Sequence, residues 1–328
     1  MGEYTAKWRV LLGHFFKYME RHINIQTRLT EPQDIIKKTE QRNPNSSDID
    51  LKSTAEIVKI FHEEDQKAVE AVKAESDAIA HAIDLCVEAF RAGGRLFYIG
   101  AGTSGRLGVL DASECPPTFS TPPEMVQGII AGGDVALRRS IEGEEDKPES
   151  GAHAVRERQL TPQDVLVGIA SSGRTPYVIG ALKEAHTIGA TTMFLCCVPP
   201  PAQLKKWVTH FITPIVGPEI ITGSTRLKAG TATKLVLNML TTASMIKLGK
   251  VYNNLMVDVH ASNTKLVERS IRIVQTVTGV DAATAEAALT EAGGRAKLAI
   301  VMLAEELNAT DAKALLEKHS GFLRQILE

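Results

Sequence analysis

The sequence predicts an α/β fold: a doubly wound, parallel, five-stranded sheet with flanking helices, followed by a small all-helical C-terminal subdomain. Three observations carry this expectation. Five short apolar runs lie between residues 95 and 216, nearly continuous, as strands covered on both faces are. Stretches of helical periodicity stand between them. Beyond about residue 223 the apolar residues recur with helical spacing only.

The expected strands are 95–100, 126–131, 165–170, 191–197 and 211–216, with helical segments around 106–111, 134–141 and 176–188. Ahead of the sheet, Ser53 and Glu56 have the spacing of a capping box and open a helix carrying Ile57, Ile60 and Phe61. A second helix at 76–91 stops at Gly93-Gly94. Behind the sheet, a long helix is expected at 226–248, capped by Ser224 or Thr225. Three short ones follow at 282–292, 295–307 and 311–327. The organisation read from this pattern is an N-terminal extension (1–38), poorly ordered or one weakly amphipathic helix over 8–18, a helical lead-in (39–92), a sheet domain (93–250) and a helical C-terminal region (251–328).

Composition narrows the function classes. The 37 Lys and Arg against 39 Asp and Glu give a net charge of −2, so no polybasic footprint for nucleic acid or an anionic membrane is present. No apolar run reaches membrane-spanning length. Cys86, Cys115, Cys196 and Cys197 have no metal-ligand spacing, and adjacent cysteines are poor disulfide partners. With no signal peptide legible, a cytoplasmic location is expected.

In a doubly wound sheet, ligands sit at the carboxyl ends of the strands, so the loops there carry the information. The first strand runs into Gly100-Ala101-Gly102-Thr103-Ser104-Gly105-Arg106. Glycines let the backbone approach an anion, and the next helix aims free N–H groups at it. The spacing mimics a dinucleotide fingerprint, but no acidic residue ends the second strand about 20 positions on, as that reading requires. The third strand delivers Ser171-Ser172-Gly173-Arg174-Thr175-Pro176 to another helix start, a pattern that suits a phosphate monoester and equally a plain helix cap. Thr222-Gly223-Ser224-Thr225-Arg226-Leu227-Lys228 is a third such cluster, in which Ser224, Arg226 and Lys228 are candidate anion ligands. Two stretches offer carboxylates: Glu114 before Cys115-Pro116-Pro117, where the prolines are expected to end a helix, and the run Glu142-Gly143-Glu144-Glu145-Asp146. Spacing alone reads these as a helix-end acid and a solvated face, and does not say which is catalytic.

At its two strand–loop–helix signatures the chain resembles the sugar isomerase (SIS) domain family, although Ala170 stands where many members carry a serine. Longer strings resemble the N-acetylmuramic acid 6-phosphate etherase family more closely. They are TEQRNPNS from Thr39, GAGTSGRLGVLDASECPPT from Gly100, the stretch Gly168–Tyr177, VGPEIITGSTRLKAGT from Val216 and NLMVDV from Asn254. The likeness spans residues 39–328. It implies an SIS-type, flavodoxin-like three-layer domain, a homodimer, and a cofactor-free, metal-free lyase. The implied reaction converts a phosphosugar ether to N-acetylglucosamine 6-phosphate and D-lactate. It further implies that Glu114 and Glu145 are the catalytic pair, one acid and one base, and that the loop with Ser171, Ser172, Arg174 and Thr175 holds the substrate phosphate; Gly102, Thr103 and Ser104 remain candidate phosphate ligands from the loop reading above. Two other classes share this fold, a phosphosugar isomerase and a non-catalytic phosphosugar sensor. His260 and His319 stand outside the candidate site.

Overall fold

The structure, a computed structural model, describes residues 38–259 and 264–328; the aromatic stretch at 8–18 and His260 lie outside the described residues. Every element named below belongs to the unit Thr39–Glu328.

Strands β1 (Leu96–Gly100), β2 (Val126–Ile130), β3 (Val165–Ile169), β4 (Thr191–Leu195) and β5 (His210–Ile212) form one sheet in the order β2-β1-β3-β4-β5, with every pair parallel. All residues of β1 and β3 are buried, which is why these strands read as continuous apolar runs. Alternate side chains point to opposite faces. Leu96, Tyr98, Val165 and Val167 pack on one side, Phe97, Ile99, Leu166 and Phe194 on the other. Ala131 and Ala170, the last residues of their expected runs, each make a final hydrogen bond to the neighbouring strand, to Gly100 and Leu195, and the loops that matter below begin there.

Helix α1 (Thr54–Ala74) opens with the anticipated capping box: the Glu56 N–H donates to Ser53 Oγ, and the Ser53 N–H donates to Glu56 Oε2 at 2.8 Å. Helix α2 (Ser76–Arg91) follows directly. Between strands lie α3 (Gly102–Phe119), α4 (Val135–Arg138), α5 (Pro148–Glu157) and α6 (Pro176–Ile188). Helices α2 and α7 (Lys228–Lys247) cover one face with Cys86, Phe90, Val236 and Leu240; α5 and α6 cover the other with Val155, Val178 and Leu182. Strand order reverses between β1 and β3, which opens the crevice at their carboxyl ends.

Several expectations need correction. Pro116 and Pro117 do not end α3, which runs on to Phe119; buried Cys115 and Phe119 hold its last turn in place. The segment expected to be helical at 134–141 is only α4, because the chain turns extended at Arg139 and folds Ile141 back against Gly132. Helix α5 after the acidic run was not expected; its glycine, Gly151, sits so close to the Tyr177 carbonyl on α6 that no Cβ would fit. Among the described residues, the C-terminal region also holds two helices more than the pattern suggested. It consists of α8 (Thr264–Thr278), α9 (Ala282–Glu291), α10 (Ala296–Ala304), α11 (Ala309–Lys318) and the short α12 (Arg324–Leu327), which share a separate core around Ile273, Val274, Leu289 and Ile300. Among the described residues no helix is long and apolar enough to cross a membrane.

Candidate active site

Two helices start at the crevice with no side chain capping them. At α3 the N-cap is Ala101, and at α6 it is Thr175, whose hydroxyl does not cap, with Pro176 in the first turn. Their first N–H groups and positive dipole ends therefore remain for an anion. Gly100 and Gly105 pack backbone on backbone: a Cβ on Gly105 would stand 2.7 Å from the Gly100 carbonyl oxygen, so the turn between strand and helix requires this pair. In the β3 loop, Ser171 is buried and its carbonyl accepts from the Cys197 N–H at 3.1 Å; Ser172 and Thr175 are half-buried and Arg174 is exposed. The Thr103 methyl lies 3.6 Å from the position of a Cβ on Gly230, so the third cluster adjoins the first. Gly102, Thr103, Ser104, the Ser171–Thr175 loop and Ser224 thus surround the same end of the sheet.

The third cluster differs from its expected form in two respects. Helix α7 begins at Lys228, and its cap is Glu219, a fully buried carboxylate that accepts from the Lys228 and Ala229 N–H groups at 3.0 Å each. That helix terminus is already satisfied. Lys228 itself is not a substrate ligand: it is 1% exposed and its ammonium is bound to Glu64 at 2.6 Å. Glu64 also accepts from Asn43 and Asn45 at 2.8 Å each. Asn43 reaches on to the Pro218 carbonyl, Ser46 Oγ donates to the Ile220 carbonyl, and the Gly223 N–H donates to the Thr39 carbonyl. The buried pair therefore fastens residues 39–46 over the loop that presents Ser224 and exposed Arg226. A first-turn lysine reads from sequence as a solvated cation or an anion ligand, and only the fold reveals its buried acid 164 positions away.

Burial alone would raise the Glu64 pKa, but hydrogen bonds from Asn45, Lys228, Lys67 and Asn43 outweigh it and bring the carboxyl from 4.5 down to about 2. A depressed carboxylate stabilises the fold above its ordinary pKa and loses that contribution as pH falls through the folded value. Between about pH 6 and pH 2 the wild type should lose about 3 kcal/mol more stability than Glu64→Gln, as read from urea denaturation.

The two glutamates are not brought together. Glu145, exposed, lines a cleft of about 80 Å³ with Gly102 and Arg106 of α3, Ala136 of α4, Glu142 and Glu144. Glu114 is exposed on the same α3 but does not line that cleft; it lies 8 residues beyond Arg106, roughly 12 Å along the axis at 1.5 Å per residue. Helix α3 runs back from the crevice along the sheet, so Glu114 stands well away from the Glu145 cleft of its own chain. The turn before Glu114 is firmly anchored. Asp111 accepts from Tyr98 Oη at 3.0 Å, Asn238 Nδ2 at 2.7 Å and Thr241 Oγ1 at 3.3 Å, and burial raises its pKa against these bonds. Next to it in the chain, Leu110 is 48% exposed. Arg106, which motif reading passed over as the tail of a glycine loop, is the cation that shares the cleft with Glu145.

An open parallel sheet in this order, with uncapped helix termini at the switch point, is a flavodoxin-like, doubly wound domain with an anion-ready crevice. Residues 78–186 match the glucokinase regulatory protein N-terminal SIS domain, and residues 253–294 match the C-terminal lid domain of glucokinase regulatory protein. A solved phosphoheptose isomerase from Neisseria gonorrhoeae aligns with a TM-score of 0.43 and 18% identity over 58% of this chain and 97% of that one. Among curated relatives, the N-acetylmuramic acid 6-phosphate etherase of Salinibacter ruber is 52% identical, covering 94% of this chain and 99% of its own length. The same-named protein of Rhizobium rhizogenes is 54% identical over 92% and 97%. That of Actinobacillus pleuropneumoniae serotype 7 is 56% identical over 88% and 95%. The chain belongs to the N-acetylmuramic acid 6-phosphate etherase family and is an enzyme, an etherase of the lyase type.

Proposed function

We propose that the enzyme cleaves the D-lactyl ether of N-acetylmuramic acid 6-phosphate, yielding N-acetylglucosamine 6-phosphate and D-lactate, as a step in cell-wall sugar recycling. The observation that carries this reading is the pairing of a phosphate-sized set of donors with a carboxylate cleft at one end of the sheet. The 6-phosphate binds to Thr103, Ser104, Ser171, Ser172 and Thr175 and to the free amides of α3 and α6, with Ser224, Arg174 and Arg226 at the rim. Ser172→Ala and Thr175→Ala should each raise KM about tenfold, the cost of one hydrogen bond to a charged group, with kcat changed less; initial-rate kinetics check this.

The chemistry needs no leaving-group activation beyond acid and base. In the open-chain sugar the aldehyde acidifies the proton on carbon 2. Glu145 removes it; the electron pair forms the carbon 2–carbon 3 double bond and expels the ether oxygen, which takes a proton from Glu114. Water then adds to carbon 3, giving its proton to Glu114, while Glu145 returns a proton to carbon 2. One ionised and one protonated carboxyl at the same pH requires two different environments.

Such a pair must flank one sugar, and Glu114 stands outside the Glu145 cleft of its own chain, roughly 12 Å of helix beyond Arg106. The active unit in this reading is therefore a homodimer in which a second copy supplies Glu114 to the Glu145 cleft. Exposed Leu110, one helical turn before Glu114, supports that contact. Four free, buried cysteines support a cytoplasmic location. The reading is tested by D-lactate release from N-acetylmuramic acid 6-phosphate in EDTA with no cofactor added. Sustained release is expected. Saturable phosphosugar binding without release would turn the assignment to a sensor.

A further inference from the structure

Substrate in the reading above carries two anions, the 6-phosphate and the carboxylate of the lactyl arm, and this inference rests on that reading. The phosphate has its donors. The carboxylate hangs from the oxygen on carbon 3, next to the carbon that Glu145 deprotonates, so its ligand has to lie beside Glu145.

The charges of that cleft can be accounted for one by one. Glu142 accepts from Ser140 Oγ at 3.0 Å, and Glu144 is paired with Lys147. Glu145 forms no hydrogen bond or ion pair among the described residues. Arg106 is half-buried, its Nε donates to the Leu137 carbonyl at 3.1 Å, and its guanidinium makes no other hydrogen bond or ion pair among the described residues, although three carboxylates line the same cleft. The Leu137 bond fixes the plane of the guanidinium and leaves the two terminal nitrogens as an end-on fork, the geometry that takes a carboxylate in two parallel hydrogen bonds. The cleft, about 80 Å³, is far below the roughly 300–1,000 Å³ of pockets that hold a whole ligand, so it takes a side arm and not the sugar. Position in the sheet agrees. The phosphate donors lie between β1 and β3, while Arg106 and Glu145 lie toward β2, so an extended sugar crosses β1 with its carbon 6 end on one side and its carbon 3 arm on the other.

We infer that Arg106 is the residue that binds the lactyl carboxylate, and that it sets the preference of this enzyme for an ether bearing a carboxylate over an uncharged one. The fork also holds the departing lactate against the negative field of Glu142, Glu144 and Glu145 until its oxygen is protonated.

The test compares ligands with and without the carboxylate. In wild type and Arg106→Gln, one measures KM for N-acetylmuramic acid 6-phosphate and the inhibition constants of N-acetylglucosamine 6-phosphate and of the 3-O-isopropyl ether, in which a methyl replaces the carboxylate. Arg106→Gln should raise KM about 10- to 100-fold, the worth of a charge-assisted pair of bonds. Both inhibition constants should stay within about threefold, which also shows that the variant is folded. Arg106→Lys should recover part of the loss. Equal losses for all three ligands, an unchanged KM, or the selective loss appearing in Arg174→Gln or Arg226→Gln instead would overturn the inference while leaving the etherase reading intact. A wild type that binds phosphosugar but releases no lactate would remove both.

Discussion

Glu114→Gln is expected to lower D-lactate release by at least 100-fold while leaving phosphosugar affinity nearly unchanged. The magnitude follows from general acid catalysis, where a positioned proton donor is worth about 100- to 10,000-fold, and here the expelled group would otherwise leave as an alkoxide. Affinity survives because the phosphate donors lie at the other end of α3 from residue 114. The amide cannot protonate the ether oxygen, yet it does not prevent Glu145 from taking the carbon 2 proton. In deuterium oxide, Glu114→Gln should therefore still exchange that hydrogen, and Glu145→Gln should not. Exchange surviving only in Glu145→Gln would interchange the two roles. A Glu114→Gln enzyme with more than a tenth of wild-type turnover would remove Glu114 from the reaction.

The second large effect is on stability. Lys228→Met removes the cation from a pair in which both side chains are 1% exposed and leaves the Glu64 carboxylate buried with only Lys67, at the surface end, to balance it. Breaking a buried pair from one side costs about 3–5 kcal/mol, because the remaining charge is desolvated without compensation. The double variant Glu64→Gln with Lys228→Met removes both charges and should recover a good part of that loss. Equilibrium unfolding of the two singles and the double provides the coupling energy. If Lys228→Met lowered stability by less than about 1 kcal/mol, residues 39–46 would be held by something other than this pair.

How much of this was legible in the chain depends on what each signal requires. Strand positions were readable because β1 and β3 are buried on both faces, so nearly every side chain is apolar and the pattern needs no partner to be recognised. The capping box at Ser53 and Glu56 was readable for the same reason: it is local. The Gly102 and Ser171 loops were found because a strand, a small-residue turn and a helix start are contiguous in sequence. What failed was long-range. The fate of Lys228 depends on Glu64 and that of α7 on Glu219, neither of which any local pattern connects to it. The prolines at 116 and 117 read as a helix stop, but the burial of Cys115 and Phe119, a tertiary property, keeps the turn helical. Arg106 was hidden inside a glycine motif, and only the fold brings the acidic loop into the same cleft. The carboxylate pair could be named from the resemblance, but their separation along one helix is visible only once α3 is seen to run unbroken from Gly102 past Glu114.

That separation makes the composite site the feature of the account most open to direct test. Glu114→Gln and Glu145→Gln enzymes, each inactive alone, are mixed, exchanged under mild denaturant and returned to buffer, and D-lactate release is measured. Random exchange makes about half the dimers mixed, and in each of these one of the two sites combines an intact Glu145 with an intact Glu114 from the other copy. Recovery toward about a quarter of wild-type activity is the result expected of a site shared between copies. A mixture that remains as inactive as its components, with exchange verified by differential labelling, would mean that each chain must supply both glutamates itself, and would contradict the shared site.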